Sequence, residues 1–504
     1  MHGFEELKSE QPALASKGPW WSSMTRYHWF VLTVAALGWL FDCLDQQLFI
    51  LARPAAMRDL IPQTPDRDIK EVELARRTAG DIATSIFIMG WATGGLIFGM
   101  LGDRIGRAKT MIITILLYSL FTGLSSLSVG VWDFAFYRFL TGLGVGGEFA
   151  VGVALVAEVM PDAARPRALS LLQALSAIGN VSAALINLGL GIAEEHGLPY
   201  SPWRIMFVIG AVPALLALVI RSKLKEPEKW QQASHDGALK KQLGSYRELF
   251  STPLLRKHAL LGLVLGCSGI IGLWSVGFFT PDLIRFVQRK SVTATVYEEQ
   301  LAGADAVVKA RVELLKQVDV DPKLASTLDE PAKELKAKVD KTVNGRLSAW
   351  GSYTSIAINV GAFCGMFGFG ALAQRIGRKK TFTIAFIAAF ITTASVFWFL
   401  QDMWQIWVMV PLMGFCQLSL FAGYAIYFPE LFPTRLRSTG TSFCYNVGRF
   451  IAALGPLVKA GLENLFKDTP EPLRYAGVTM CFVFLLGLVV LPFLPETKDR
   501  PLPE

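Results

Sequence analysis

The 504-residue chain has few charged side chains: they make up 18% of it, against 52% hydrophobic residues. A soluble protein of ordinary composition carries about a quarter charged residues, so the balance excludes most soluble folds and indicates a lipid environment. The net charge of +8 would suggest nucleic-acid binding in a soluble protein. Here the basic residues concentrate between long apolar runs, and we expect no nucleic-acid partner.

Motifs for common catalytic chemistry are also missing. The chain has five histidines and six cysteines, and every cysteine lies inside an apolar run, where neither a loop disulfide nor a CxxC metal site is expected. No G-x-x-x-x-G-K-[ST] phosphate-binding loop occurs, and no Ser-His-Asp or Cys-His arrangement is evident. We therefore expect no enzyme activity, no cofactor and no bound metal, and an ion gradient rather than ATP as the energy source.

Long apolar runs dominate what the chain does contain. A membrane-spanning helix needs about 20 largely apolar residues, and twelve such runs occur. They lie at residues 28–52, 80–101, 110–130, 132–159, 167–193, 203–221, 258–288, 347–373, 380–400, 403–430, 438–462 and 473–494. The sequence predicts an all-α integral membrane protein with twelve transmembrane helices in two six-helix halves.

Basic residues between the runs predict the orientation. With both termini in the cytoplasm, the short inner loops carry the arginines and lysines, whereas the short outer loops around Asp133, 194–195 and Asp402 carry none. The loop at 53–80 opposes this weakly, since five acidic residues nearly offset its six basic ones. We expect a monomeric multi-pass protein of a bacterial inner membrane.

The polar segments divide the chain into regions. In order we expect a cytoplasmic N-terminal segment (1–27), a first half (28–221), a cytoplasmic linker (222–257), a second half (258–494) and a cytoplasmic tail (495–504). An extracytoplasmic insertion (289–346) interrupts the second half. The spacing of Val308, Val312 and Leu315 in it predicts an amphipathic helical hairpin.

Two motifs occur once in each half. The run Gly99-Met-Leu-Gly-Asp103-Arg104-Ile-Gly106-Arg107 returns 271 residues later as Gly370-Ala-Leu-Ala-Gln374-Arg375-Ile-Gly377-Arg378. Glu158-Val-Met-Pro161 returns 272 residues later as Glu430-Leu-Phe-Pro433. Two independent motifs with nearly the same offset indicate that the halves are structural repeats.

At these residues the chain resembles the major facilitator superfamily, whose signature between the second and third spans reads G-x-L-[AG]-D-R-x-G-R-[KR]. The resemblance covers about residues 28–494. It implies a secondary transporter that binds substrate between its halves and rocks one half against the other.

Two further resemblances concern branches of that superfamily. Asp42-Cys43-Leu44-Asp45 is similar to the D-G-[FY]-D of aromatic-acid and related carboxylate proton symporters, with Cys43 in place of the glycine. Arg138-x-x-x-Gly142-x-Gly144, together with the Glu-x-x-Pro ends of spans 4 and 10, resembles the sugar porters.

The repeated motifs are expected to form a conformational latch at cytoplasmic helix ends, where a carboxylate meets a facing helix N-terminus or a neighbouring arginine. Glu158 and Glu430 are expected to form inter-helix ion pairs, with Arg165 and Arg435 nearby. Because Gln374 replaces the acidic residue of the motif, the two copies are expected to differ. The latch residues are Asp103, Arg104, Arg107, Glu158, Arg165, Gln374, Arg375, Arg378, Glu430 and Arg435.

Three acidic residues lie deep inside predicted spans, namely Asp42, Asp45 and Glu148. Asp42 and Asp45 are spaced i, i+3 and share one helix face. Charged groups at such depth are costly and usually face a cavity, and desolvation with mutual repulsion favours protonation of at least one carboxyl group. We expect these residues to couple transport to protons; a structural ion pair is the alternative.

Arg449 lies eleven residues into the eleventh run, about 16 Å along the helix and hence near the membrane midplane. Its guanidinium matches a carboxylate, belonging either to a substrate or to Asp42, Asp45 or Glu148. Other polar or aromatic residues inside spans are expected to line the cavity, although each alone fits a packing role. They are Gln173, Asn180, Trp274, Tyr353, Asn359, Gln417, Tyr424, Tyr445 and Asn446.

Residues 142–147 read Gly-Leu-Gly-Val-Gly-Gly and match the dinucleotide motif G-x-G-x-x-G. They lie mid-span without a preceding strand, so close helix packing is expected instead.

The sequence predicts proton-coupled symport of a small organic anion: a monocarboxylate, an aromatic acid or an acidic sugar. In this hypothesis Arg449 holds the carboxylate and Asp42 or Asp45 carries the proton. A neutral sugar or polyol symporter is one alternative. A non-transporting membrane sensor, with the insertion as its ligand domain, is the other.

Overall fold

The regular structure of the described residues is helical throughout. The computed structural model describes residues 20–62, 69–195, 198–212, 224–236, 242–277, 280–320, 324 and 328–503. Ten helices in these ranges are long and apolar enough to cross a membrane. The predicted all-α membrane fold is confirmed.

The first half and the linker contain eight described helices. They are α1 (Arg26–Leu60), α2 (Ile69–Ile105), α3 (Arg107–Ser125), α4 (Val131–Val159), α5 (Arg165–Glu195), α6 (Pro202–Ile209), and in the linker α7 (Glu228–His235) and α8 (Tyr246–Leu249). The sixth apolar run, 203–221, lies only partly within the described residues.

The second half contains ten described α-helices. They are α9 (Pro253–Ser275), α10 (Thr280–Leu301), α11 (Ala306–Val320), α12 (Glu330–Ile376), α13 (Arg378–Phe399), α14 (Met403–Leu431), α15 (Arg437–Ala452), α16 (Gly455–Leu465), α17 (Pro472–Cys481) and α18 (Val483–Val490).

Several helix boundaries differ from the apolar runs, and two of them have a clear bearing on the fold. The expected loop at 53–80 is largely helical, because α1 continues to Leu60 through Pro54 and α2 begins at Ile69. The eleventh run is divided between α15 and α16, whose first turn contains a proline. Proline cannot donate the backbone hydrogen bond of a continuous helix and clashes with the preceding turn, which explains the break near Ala453.

The repeated motif makes the same turn in both halves. Gly106 separates α2 from α3 with φ of 112°, and Gly377 separates α12 from α13 with φ of 96°. Glycine adopts these backbone angles without a Cβ penalty. Each copy therefore reverses the chain between two antiparallel spans.

The insertion forms its own small core from three helical segments, because α10 and α12 extend beyond their spans and α11 lies between them. This differs from the simple hairpin expected. Val312 and Leu315 are fully buried in that core and Val308 packs against it. Tyr297 Oη donates to Asp319 at 2.6 Å. Burial raises the pKa of Tyr297, and the hydrogen bond to Asp319 and its negative charge raise this pKa further.

The two most extensive helix pairs between the halves are α2 with α15 and α5 with α12. Glycines permit the close approach in the first pair: a Cβ added to Gly95 would lie 2.2 Å from the side chain of Asn446, and one added to Gly99 would lie 2.4 Å from Cβ of Ser442. We call the end of the bundle with the Gly106 and Gly377 turns the linker end, and the opposite end the insertion end.

Candidate functional site

Buried ionisable groups from three spans lie in the middle of the bundle. Helix α1 supplies Asp42 and Asp45, α4 supplies Glu148, and α15 supplies Arg449, none more than 1% exposed. Membrane burial of such groups is costly unless they are paired, protonated or facing a cavity. Their individual contacts therefore indicate what each can do.

Asp45 has a fixed set of partners. Its Oδ1 accepts a hydrogen bond from Thr122 Oγ1 at 2.6 Å and lies 3.6 Å from Arg138 Nη1. Arg138 is held in turn by Ser125, with donor distances of 3.1 and 2.6 Å, and lies over the ring of Phe207 at 4.5 Å. Arg138, fully buried, is therefore the ion-pair partner of Asp45.

Asp42 and Glu148 lack a cationic partner among the described residues. Both carboxyl oxygens of Asp42 and Oε1 of Glu148 are buried without a hydrogen-bond partner there. Glu148 Oε2 accepts from Thr114 Oγ1 at 2.7 Å. The charge of Glu148 acts on Asp42. Since unpaired buried charge is unfavourable, this pair is suited to hold a proton.

Arg449 has no carboxylate partner among the described residues. Its Nη1 donates to the carbonyl of Tyr445 at 2.7 Å and to Oδ1 of Asn446 at 2.8 Å. The guanidinium carbon lies 4.2 Å from the ring centre of Trp91 and 4.4 Å from that of Tyr445. Its buried Nε has no hydrogen-bond partner there. Of the two expected partners, the internal carboxylates are therefore not in contact with it.

Aromatic rings from both halves surround this arginine. Tyr445 stacks on Phe149 with ring centres 3.9 Å apart, and Phe149 lies 4.8 Å from Trp39. On the other side Trp91 meets Trp274 edge-on at 5.4 Å. The guanidinium is therefore surrounded by planar, largely apolar aromatic rings, and both halves contribute these rings.

Three of the expected lining residues make contacts within the second half. Gln417 donates to the carbonyl of Gly272 at 3.0 Å and Tyr424 to that of Leu265 at 2.9 Å. Tyr353 is 40% exposed, and its ring contacts Trp350 and Trp407. These contacts fit the packing role that was the alternative for each of the three residues.

The remaining lining residues lie closer to the interface between the halves. Gln173 is 3% exposed and its Oε1 lacks a hydrogen-bond partner among the described residues. Asn446 donates to Ser442 Oγ at 2.9 Å, and Asn180 donates to Asn359 across the interface at 2.8 Å.

Polar contacts join the halves from the middle of the bundle toward the insertion end. Besides the Asn180–Asn359 contact, Asn187 donates to Ser352 at 3.1 Å, and Gln47 donates to Ser355 at 2.9 Å. We call these three contacts the amide ladder. Only Asn180 and Asn359 were expected to be functional, because isolated amides inside apolar runs resemble ordinary packing residues.

Asp103 joins the halves at the linker end. Its carboxylate accepts hydrogen bonds from the amides of Ser438 and Thr439 at 3.2 and 2.8 Å and from Thr439 Oγ1 at 2.6 Å. These residues form the first turn of α15, whose unpaired amides and dipole favour an anion. This is one of the two arrangements expected for a latch carboxylate.

An ion-pair network extends this contact. Arg107 lies 2.9 Å from both Asp103 and Glu158, and Glu158 lies 3.0 Å from Arg437 of the second half. Arg165 instead pairs with Asp162 and donates to the carbonyl of Ala157 at 2.8 Å. The expected partner of Glu158 is thus corrected: Arg107 and Arg437 take that place.

The second copy of the motif has different partners. Arg378 binds both oxygens of Glu430, at 3.1 and 2.8 Å, and Thr497 Oγ1 donates to the same carboxylate at 2.6 Å. Gln374 donates to the carbonyl of Ala163 in the first half at 3.2 Å. The ion pair of Glu430 therefore stays within its own half.

The other latch arginines contact the linker and the tail. Arg435 lies 3.9 Å from Glu248 and not beside Glu430, which corrects the expected pairing. Arg104 Nε donates to the carbonyl of Leu243 at 3.4 Å. The carbonyl of Arg375 accepts from Lys498 at 3.1 Å.

Two glutamates outside the motifs cap the helices that follow the glycine turns. Glu226 accepts from the amide of Arg107 at 2.7 Å, and Glu496 accepts from that of Arg378 at 2.9 Å. Partial burial alone would raise the pKa of Glu496, but four backbone amides that donate to it lower this pKa below its ordinary value. Sequence reasoning missed both caps, although Glu226–Pro227 and Pro495–Glu496 stand at nearly the repeat offset.

Comparison with known proteins agrees with this doubled architecture. The sequence profile described as Major Facilitator Superfamily matches residues 35–297 and 342–504. The chain belongs to that superfamily. The internal gap in the match, residues 298–341, covers most of the insertion. As a member of the superfamily, the chain is a multi-pass membrane transport protein and not an enzyme.

Individual relatives cover nearly the whole chain. A benzoate transport protein of Acinetobacter baylyi is 24% identical, over 96% of this chain and 92% of its own. The niacin transporter NiaP of the same organism is 26% identical, over 86% and 87%. The solved structure of the proton:xylose symporter XylE has the same fold, with a TM-score of 0.63 and 15% identity over 94% of this chain and 98% of that one.

Proposed function

We propose that this superfamily member is a proton-coupled symporter of small planar carboxylates. The observation that carries the proposal is Arg449, a buried guanidinium between two aromatic rings with no carboxylate partner among the described residues. A guanidinium that cannot lose its charge favours an incoming anion. A substrate carboxylate supplies the missing negative charge.

The aromatic surroundings favour a flat substrate over a sugar. Trp91, Tyr445 and Phe149 offer ring faces and edges near the guanidinium, and aromatic rings pair favourably in offset or edge-on geometries. A sugar requires a hydrogen-bond partner for each of its several hydroxyl groups, whereas these three rings carry only the Trp91 indole N–H and the Tyr445 hydroxyl. Two relatives are transporters of benzoate and niacin, both planar acids, which supports a planar substrate independently.

The proton-coupling groups in the proposal are Asp42 and Glu148. Asp45 is engaged by Thr122 and Arg138, which stabilise its charged form and make it a structural anchor. Asp42 has no such partner among the described residues, and Glu148 has a neutral donor in Thr114. Protonation of this pair removes buried negative charge before the halves move.

The cycle requires the two groups of cross-half contacts to open in turn. The Asp103 contact with α15 holds the linker end closed, and the amide ladder holds the insertion end closed. In the present structure both are formed, as in an occluded state. Opening one while the other persists gives alternating access to a central site.

The test uses the purified full-length protein in liposomes. Benzoate, niacin or xylose is added outside, and the external pH and substrate uptake are recorded. Symport of a carboxylate with protons makes the medium alkaline. We expect this response for benzoate and niacin, with Arg449→Lys raising the KM about 10- to 100-fold because a charge-assisted, oriented contact is lost.

Arg474→Lys is the matched control, since Arg474 is also buried but donates to the carbonyls of Phe397 and Leu400. It is expected to lower thermal stability without changing substrate preference. A response to xylose alone would contradict the proposal and give Arg449 a structural role. Equal loss of preference in both variants would contradict direct substrate contact.

A further inference from the structure

The Thr114 hydroxyl stands between Glu148 and the backbone of its own helix. Its Oγ1 lies 2.7 Å from Glu148 Oε2 and also 3.0 Å and 3.1 Å from the carbonyl oxygens of Met111 and Thr110. A threonine hydroxyl has one hydrogen to donate and can accept at the same time. It can therefore satisfy only one of these acceptors at once.

That limitation makes Thr114 suited to both protonation states of Glu148. When Glu148 is ionised, the hydroxyl donates to its carboxylate. When Glu148 is protonated, the carboxyl O–H donates to Thr114 Oγ1, and the threonine hydrogen turns to the carbonyl of Met111 or Thr110. Rotation of one hydroxyl thus keeps the same heavy-atom geometry for the charged and the neutral carboxyl group.

Gly38 fixes the place of the other oxygen. A Cβ added to Gly38 would lie 2.3 Å from Glu148 Oε1, a separation that real atoms cannot keep. Gly38 precedes Asp42 by one helical turn on α1, so both lie on one face of that helix. Glu148 therefore extends from α4 into space that only a glycine leaves on the acidic face of α1.

The groups around Glu148 come from several helices. Asp42, Asp45 and Cys43 belong to α1, Tyr118 to α3, and Tyr445 and Arg449 to α15. Electrostatic interactions link Asp42 to Glu148 and Asp45, Tyr118 to all three acids, and Cys43 to Asp42 and Arg449. The indole of Trp91 on α2 faces the guanidinium of Arg449.

Given the proposed proton coupling, we propose that Asp42 and Glu148 share one proton and that Thr114 is the positioning residue that keeps Glu148 in place in both states. In the transfer step the O–H bond of the Asp42 carboxyl breaks and an O–H bond forms on Glu148. Asp42 becomes the carboxylate, and the pair keeps a charge of −1. Gly38 provides the space for this exchange.

The experiment is an infrared pH titration of the purified full-length protein in lipid nanodiscs, with protons as the only ligand. The carbonyl band of protonated carboxyl groups that disappears in Glu148→Gln reports on Glu148. Thr114→Val removes the donor at nearly constant volume, and the charged form loses more than the neutral form. We expect the titration midpoint to rise by about one pH unit, and Thr114→Ser to restore it.

A second pair of variants tests the role of Gly38. Gly38→Ala is expected to displace Glu148 and change the position of its carbonyl band. Gly152→Ala on α4 is the matched control, because its new Cβ would lie 4.0 Å from that of Ala35, an ordinary contact. In Gly152→Ala the carbonyl band of Glu148 is expected to stay at the wild-type position.

The outcomes separate this inference from the proposed function. An unchanged midpoint in Thr114→Val, or equal shifts in Thr114→Ser and Thr114→Val, would overturn the positioning role even if wild-type liposomes couple benzoate to protons. A shifted midpoint reversed by serine supports it even if none of the substrates tested moves protons. If Asp42 and Glu148 were both protonated, or both ionised, throughout the range from pH 5 to 9, the proposal that they share one proton would be wrong.

Discussion

The two copies of the repeated motif make the same turn but join different parts of the molecule. In the first half, Asp103, Arg107 and Glu158 bind the start of α15 and Arg437, so they connect the two halves. In the second half, Arg378 and Glu430 bind each other and the tail. Similar sequences thus give one ion-pair network that crosses between the halves and one ion pair that stays within its own half.

The difference depends on two positions at which the repeated halves carry different residues, and these positions face each other across the interface. Asp103 accepts from the amides of Ser438 and Thr439, whose counterparts 272 residues earlier are Pro166 and Arg167. Proline has no amide hydrogen, so the first half offers one donor fewer. On the other side, Gln374 replaces the acid and donates to a carbonyl instead. In the second copy, therefore, the carboxylate acceptor is missing where the facing helix also lacks one amide donor.

The largest expected effect is on the second copy. Arg378→Gln leaves Glu430, a residue that is 9% exposed, without its bidentate partner. Breaking a buried pair by removing one member costs about 3 to 5 kcal/mol. We expect a large fall in thermal unfolding temperature, measured on the purified protein. Arg375→Gln, an exposed neighbour, is the control and is expected to change stability by less than about 0.5 kcal/mol.

The first copy is tested by Asp103→Asn, which keeps an acceptor oxygen but removes the charge. Hydrogen bonds to charged groups contribute about 1.5 to 3 kcal/mol, so the amides of Ser438 and Thr439 should exchange with deuterium about 10- to 100-fold faster. Hydrogen-exchange mass spectrometry of α15 measures this. Gln374→Ala is the matched control and should leave the exchange rates of the α15 amides unchanged. Equally faster exchange in both variants would contradict the difference between the two copies.

Restoring the acid in the second copy should not create a second latch. Gln374→Asp places a carboxylate opposite the carbonyl of Ala163 and beside Pro166, so the lost hydrogen bond is not replaced. We expect a destabilisation of about 1 kcal/mol and no added protection of the amides at the start of α5. Slower exchange there would contradict the proposed role of Pro166.

The sequence predicted the twelve-span architecture and the doubled motif because both depend on local composition and on spacing along the chain. It located Asp42, Asp45, Glu148 and Arg449 because ionisable groups inside apolar runs are rare. It could not identify their partners. Thr114, Thr122 and Gly38 are common residues in membrane helices, and their importance appears only when α1, α3 and α4 pack together.

Pairing errors had a similar physical cause. Arg165 stands next to Glu158 along the chain, yet Arg107 and Arg437 reach that carboxylate from other helices. Charge order along the sequence does not determine which side chains meet across an interface. The break between α15 and α16 was also missed, although the proline in the first turn of α16 could have predicted it.

The smallest expected effect concerns the two helix caps. Glu496→Gln keeps the shape but removes the charge at the start of α13, and at low salt it should lower unfolding stability by about 0.5 to 1 kcal/mol at pH 7. Because the folded-state pKa of Glu496 is lowered, its stabilisation is present above the ordinary glutamate value and is lost as pH falls through the folded-state value. The difference from the wild type should therefore shrink below about pH 4. Thermal unfolding across pH measures it, with Glu226→Gln as the counterpart at α3. A difference that does not shrink at any acidic pH at which the protein stays folded would show that Glu496 acts through packing and not through its charge.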